Sequence, residues 1–107
     1  MTTFDDRQRS EEAKFSHDRE VEFKVRNRRN KLFGLWVAET HLGLSGDAAT
    51  AYAKDVVMAD FELPGDEDLF TKVNADLEKA GKNVSRHLLE KHLKECEGSA
   101  RDQVMGE

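Results

Sequence analysis

The chain has 107 residues, a mass of 12.2 kDa, 36% charged residues and a formal net charge of −5. This length is that of one small domain, close to the size at which a single hydrophobic core gives only marginal stability. The acidic balance argues against a nucleic-acid partner, and neither a run of about 18 apolar residues nor a secretory signal is present. With Cys96 as its only cysteine, we expect a soluble, cytoplasmic protein of a reducing compartment that does not insert into a membrane.

Residues 1–19 form a stretch of almost pure charge. Phe4 and Phe15 supply most of its apolar surface, and acidic and basic residues four positions apart favour a helix without providing a core. No Gly or Pro interrupts residues 4–33, so one helix of about 39 residues is possible. Such a helix would span roughly 58 Å, more than a compact domain of this size can cover. We therefore predict that residues 1–19 protrude as an arm that is disordered or partly helical in the free protein.

The rest of the chain shows the apolar spacing of packed helices, beginning near Val21. Gly43, the pair Pro64-Gly65 and Gly81 are expected helix ends, and Ser85 is an expected helix start. No segment shows the alternation of a strand. The sequence predicts an all-α fold in which a four-helix bundle, residues 20–107, follows the arm, residues 1–19, with helices at about 20–42, 47–62, 67–80 and 85–104.

Single positions in these helices carry their own predictions. Gly34 lies alone inside a helix and indicates a close approach of a second helix. The spacing places Ala80 and Leu88 on the inward stripes of the third and fourth helices. Glu22 and Arg26 are expected to pair along the first helix, since they lie four residues apart.

No group of residues has the pattern of an active site. His92 and Cys96 lie four apart on one helix face, a spacing that two metal ligands can share, but a second pair of ligands is missing. We favour a semi-buried histidine beside a packed cysteine, and therefore no metal site. No phosphate loop, nucleophile elbow or paired carboxylates in an apolar pocket are present. The chain is interpreted as a non-enzyme with no catalytic residue.

A basic run occupies residues 24–31. It has no interleaved aromatic residues and lies among carboxylates, so a solvated helix face is favoured over a nucleic-acid site. The charged arm can fold in a groove of a partner protein or serve as a solubilising tail. The residues alone leave both interpretations open.

The chain contains six short motifs that carry a family resemblance. They are Thr2-Thr3-Phe4-Asp5-Asp6-Arg7, Glu12-Ala13-Lys14-Phe15-Ser16-His17-Asp18, Phe23-Lys24, Arg28-Arg29-Asn30-Lys31-Leu32-Phe33-Gly34-Leu35-Trp36, Ala51-Tyr52-Ala53-Lys54, and Asp60-Phe61-Glu62 followed by Gly65-Asp66-Glu67-Asp68. Together they closely resemble the zeta subunit of the F-type ATP synthase of alphaproteobacteria. The resemblance covers nearly the whole chain, and after about Lys82 only the helical pattern is shared.

This resemblance implies a regulatory protein that inhibits ATP hydrolysis. In the family, the N-terminal arm inserts as a helix at a catalytic interface of the catalytic head, formed by the alpha, beta and gamma subunits, and blocks rotation. The bundle stays outside as an anchor. The expected location is therefore the cytoplasmic face of the inner membrane, and the free protein is expected to be a monomer. The alternative is an accessory subunit of the same complex that does not inhibit and that binds nucleotide or takes part in assembly.

The resemblance also implies which residues contact the partner. Phe4 and Phe15 would be apolar anchors, and the charged or polar contacts of the arm would come from Arg7, Arg9, Glu12, Lys14 and His17. No cofactor is required, although the bundle of this family is associated with adenine nucleotide. The phosphates of this nucleotide would then contact Arg26, Arg28, Arg29 and Lys31. We favour the alternative that these basic residues pair with Asp and Glu of neighbouring helices.

Overall fold

The computed structural model describes the backbone of residues 3–60 and 65–107 and the side chains of residues 18–60 and 65–107. Within these ranges the chain forms four α-helices and no strand. A π-helix at Val37–His41 continues the first helix. The predicted all-α, four-helix fold is therefore confirmed, with α1 at Thr3–Trp36, α2 at Gly46–Ala59, α3 at Glu67–Lys79 and α4 at Arg86–Met105.

Helix α1 is the longest element and runs without a break past the expected junction of arm and bundle at residues 19 and 20. Its 34 residues span about 51 Å at 1.5 Å per residue. The molecule accordingly measures 66 × 26 × 21 Å, with a radius of gyration of 17.6 Å. A compact chain of about 100 residues has a radius near ~13 Å, so α1 extends well beyond the bundle.

The C-terminal end of α1 changes to a π-helix before the chain turns. The Leu42 amide donates to the Val37 carbonyl over 3.1 Å, and the Leu44 amide donates to the Ala38 carbonyl over 2.9 Å. Between them, Gly43 has φ of 69°, the left-handed conformation that glycine adopts at little cost. The prediction that Gly43 ends this helix is confirmed.

Gly34 is the point where α2 crosses α1. A Cβ built at this position would lie 2.7 Å from the Ala53 Cα and 3.2 Å from the Val56 Cβ. Only a glycine lets the two backbones approach this closely. The predicted close approach at Gly34 is therefore confirmed.

Two apolar clusters hold the bundle together. The larger cluster joins all four helices and contains Phe33, Val37, Val56, Leu69, Phe70, Val73, Leu77, Leu89, Leu93 and Cys96. The smaller cluster joins α1 to the C-terminal half of α4 through Val25, Ala100 and Val104. Leu32 packs against both clusters, so the core is continuous along α1.

The structure corrects several predictions of single positions. Leu88 is 42% exposed, because the inward stripe of α4 is built on the next residue, Leu89, and its helical neighbours. Ala80 is exposed, since α3 has ended at Lys79. Glu22 and Arg26 do not pair with each other, because each finds a partner on another helix.

The end of α2 differs from its prediction, whereas the start of α4 agrees with it. Helix α2 ends at Ala59, earlier than the expected end near residue 62, and the predicted stop at Pro64 lies outside the described residues. Ser85 caps α4 as predicted, since its Oγ accepts a hydrogen bond from the Leu88 amide over 3.2 Å.

Candidate partner-binding arm and basic segment

The seven predicted partner contacts lie on the N-terminal half of α1, where the backbone is helical from Thr3 onward. The side chains concerned lie outside the described residues: Phe4, Arg7, Arg9, Glu12, Lys14, Phe15 and His17. Their role in binding a partner, and the expectation of a disordered or partly helical arm, stay predictions.

Packing of the described side chains begins at Val21. Asp18, Arg19 and Glu20 are exposed, whereas Val21 is half-buried and Val25 is 1% exposed in the smaller cluster. Among the described residues, the packed part of α1 therefore begins directly after Glu20.

An ion pair fastens α1 to α4 at this same place. The Arg101 guanidinium donates to both carboxylate oxygens of Glu22, over 2.9 and 3.0 Å. These hydrogen bonds lower the pKa of Glu22 below its usual value and raise the pKa of Arg101. This two-point contact links α1 to α4 on the surface of the molecule.

Further along α1, the basic segment surrounds a buried carboxylate. The Asp60 side chain, at the end of α2, is only 4% exposed and accepts a hydrogen bond from Arg26 Nε over 2.6 Å. Asn30 Nδ2 donates to the same Asp60 oxygen over 2.7 Å, and Arg26 also donates to the Gly65 carbonyl over 2.9 Å. The hydrogen bond that Arg26 donates to Asp60 raises the pKa of Arg26. This network joins α1 to both ends of the connection between α2 and α3.

The other basic residues of the segment differ in their surroundings. Arg29 is buried and donates to Asp66 Oδ1 over 2.8 Å. Arg28 contacts Glu107 beyond α4 and donates to Gln103 Oε1 over 3.0 Å. Lys31 is exposed and forms no ion pair with a described residue.

These contacts bear on the nucleotide prediction. Three of the four candidate phosphate ligands, Arg26, Arg28 and Arg29, are paired with carboxylates of the chain itself, as the favoured alternative expected. A phosphate would have to displace these carboxylates. Arg26, Arg28 and Arg29 therefore connect α1 to other parts of the bundle, and phosphate binding by the basic segment stays a prediction.

His92 and Cys96 belong to the packing around Trp36. The His92 ring stacks on Trp36 with centroids 3.8 Å apart, and His41 meets the same indole edge-on at 4.8 Å. Burial raises the pKa of the Cys96 thiol to about 11, which keeps it protonated and a poor metal ligand or nucleophile. Among the described residues no group of three His, Cys, Asp or Glu side chains is arranged to hold a metal ion.

Comparison with known proteins decides the family. The family described as ATPase inhibitor subunit zeta matches residues 1–103. The chain belongs to this family. No curated protein matches the chain closely enough to be counted as a relative.

The zeta match covers the arm together with the bundle. It therefore includes all the predicted partner contacts and the whole network around Asp60, and it stops before Glu107, the partner of Arg28. The family is named for an inhibitor subunit, which is not itself a catalyst. No helix of the described residues is long and apolar enough to cross a bilayer.

Sequence reasoning missed part of what fastens this zeta-family chain together. Asn30 is 1% exposed and hydrogen-bonded to Asp60, although the sequence shows it only as a polar residue in a basic run. A signal was present, since Asn30 lies four residues after Arg26 and three before the buried Phe33, on the inward side of the helix.

Proposed function

We propose that this chain inhibits ATP hydrolysis by the F-type ATP synthase of alphaproteobacteria. Its arm inserts as a helix at a catalytic interface of the head formed by the alpha, beta and gamma subunits and blocks rotation. The bundle remains outside as the anchor. The site of action is the cytoplasmic face of the inner membrane.

The observation that carries this proposal is the match of the inhibitor-subunit family over residues 1–103, which includes the arm. Helix α1 begins at Thr3, and its first described side chains, Asp18, Arg19 and Glu20, are exposed. A helix from Phe4 to His17 reaches roughly 21 Å, long enough to enter a cleft between subunits. Inhibition by such a wedge requires no catalytic group, and the energy comes from contacts with the partner.

In this proposal the two phenylalanines of the arm are the apolar anchors. Phe4 and Phe15 would enter apolar pockets of the interface, while Arg7, Arg9, Glu12, Lys14 and His17 would meet charged and polar groups around them. Aromatic side chains buried at the centre of an interface are commonly worth more than about 1 kcal/mol each.

The experiment is an ATP hydrolysis assay on the isolated catalytic head with added protein. The double variant Phe4→Ala/Phe15→Ala should need about tenfold or more protein for half-maximal inhibition, because it lacks both anchors. Leu88→Ala is the matched control, since Leu88 is an exposed apolar residue of α4, and it should inhibit as the native chain does.

Two results would count against the proposal. No inhibition by the native chain would favour an accessory subunit that does not inhibit. Equal inhibition by the double variant and the control would show that Phe4 and Phe15 are not anchors.

A further inference from the structure

A groove runs along the surface between α1 and α2. It consists of a depression of about 620 Å³, lined by residues that include Phe23, Lys24, Arg28 and Val57, and a second of about 320 Å³, which includes Lys54. Both depressions are lined by Lys31 and Val57, so they adjoin. We call this surface the α1/α2 groove.

The α1/α2 groove has an apolar floor. Phe23 is 56% exposed, and Val57 is half-buried between the two depressions. The lining of α1 extends from Glu20 to Lys31, twelve residues that span about 16 Å along the helix. This length equals about three turns of a second helix, so the groove is long enough for a peptide segment.

The rim of the groove is basic, although the whole chain has a net charge of −5. Four basic side chains, Lys24, Arg28, Lys31 and Lys54, face two carboxylates. These carboxylates are paired: Glu20 Oε1 lies 3.9 Å from Lys24 Nζ, and Glu107 forms an ion pair with Arg28. Lys31 and Lys54 form no ion pair with any described residue, so their charge is available to a partner.

We propose that the α1/α2 groove is a second docking surface, which receives an acidic segment with an apolar side chain from the same partner that holds the arm. Charge complementarity selects an acidic segment, and the floor of Phe23 and Val57 selects an apolar residue within it. The groove starts at Glu20, directly after the arm, so a partner that encloses the arm lies next to it. The inference rests on the function proposed above.

The groove and the arm would then act on different steps. Charges on an exposed rim mainly accelerate association and are screened by salt, whereas the arm acts inside the interface. Loss of the groove charges should weaken binding without changing the inhibition reached at saturation.

The test compares the double variant Lys31→Glu/Lys54→Glu with the control Lys91→Glu/Lys94→Glu. Both variants change the net charge by the same amount at exposed positions, and the control residues lie on α4 away from the groove. Binding to the isolated catalytic head and inhibition of hydrolysis are measured at low and high salt.

At low salt the groove variant should bind about tenfold or more weakly than the native chain, and this difference should shrink near 1 M salt. At saturating concentration it should still inhibit fully. The charge-conserving variant Lys31→Arg/Lys54→Arg should bind like the native chain, and circular dichroism should show native helix content for all variants.

Equal weakening of the groove variant and the control would overturn the inference, because it would reveal only a general effect of charge. Native affinity of the groove variant would also overturn it. If the native chain binds the head but does not inhibit, the proposed function fails while the binding comparison still decides on the groove. If the native chain does not bind at all, both fail.

Discussion

At the scale of single residues, Asp60 is the buried carboxylate that joins the end of α2 to α1. It accepts from Arg26 over 2.6 Å and from Asn30 over 2.7 Å, and it is almost fully buried. Asp60→Asn would remove the nearest counter-charge of the Arg26 guanidinium and leave only Asp66 Oδ1, at 4.0 Å. Since the Arg26 side chain is 42% exposed and stays partly hydrated, we expect a loss of about 2 kcal/mol, below the cost for a fully buried pair.

Urea unfolding measures this loss. Glu90→Gln is the control, because Glu90 pairs with Arg86 on the surface and should cost no more than about 0.5 kcal/mol. A loss for Asp60→Asn as small as that of the control would show that the network does not stabilise the bundle.

His92 is the residue whose charge should change with pH. Burial against Trp36, with a further effect of His41, lowers the pKa of His92 below its ordinary value of 6.5, although Glu95 opposes the shift. The unfolded chain therefore takes up this proton more readily than the folded one. Its contribution to stability is complete above pH 6.5 and is lost as the pH falls through the folded pKa.

Trp36 fluorescence can follow this titration, since Trp36 is the only tryptophan and its ring stacks on His92. A protonated imidazole quenches indole emission, so emission should fall on acidification with a midpoint below pH 6.5. The variant His92→Gln should weaken the transition, since only the edge-on His41 ring then remains beside the indole, whereas His41→Gln should keep the midpoint below pH 6.5. A midpoint above pH 6.5 would contradict the effect of burial.

At the scale of elements, the crossing of α1 and α2 depends on Gly34. Gly34→Ala would place a Cβ 2.7 Å from the Ala53 Cα, a backbone atom that cannot move alone. The overpacking should cost about 1–3 kcal/mol and outweigh the gain in helix propensity. Gly98→Ala is the matched control in α4, where a Cβ meets nothing within 4 Å, and it should stabilise by roughly 0.5–1 kcal/mol. The measurement is the midpoint of thermal unfolding. A shift of this midpoint in the same direction for both variants would contradict this account.

The number and approximate position of the helices could be predicted from sequence, because these follow from local periodicity and from stop signals such as Gly43. The contacts between helices could not. Glu22 has a suitable partner four residues away in Arg26, yet it pairs with Arg101, which is 79 positions distant. The early end of α2 at Ala59 coincides with Asp60 turning to Arg26 and Asn30. Such choices depend on tertiary neighbours, which local spacing does not reveal.

In the candidate site, too, local features could be predicted from sequence and tertiary contacts could not. The predicted pairing of Arg26, Arg28 and Arg29 with acidic residues of the chain is seen, because a basic run in an acidic protein has many possible carboxylate partners. Which carboxylates these are, and the burial of Asn30 among them, required the fold. The role of the arm stays a prediction from the motifs, since residues with little apolar surface give no indication of packing.

At the scale of the whole molecule, the proposed functions divide along α1. The second half of the helix contributes Val25, Phe33 and the residues around Asp60 to the bundle, and an ion pair between Glu22 and Arg101 closes this packed region. The first half extends from it as the proposed inhibitory element. Because the bundle has its own core and ion pairs, it should remain folded when the arm is removed.

The most direct measurement is ATP hydrolysis by the catalytic head in the presence of the chain lacking residues 1–19. We expect no inhibition by this shortened protein at concentrations where the full chain inhibits completely. Its thermal unfolding midpoint should stay close to that of the full chain. Inhibition by residues 20–107 equal to that of the full chain would contradict the account, because it would assign the activity to the bundle.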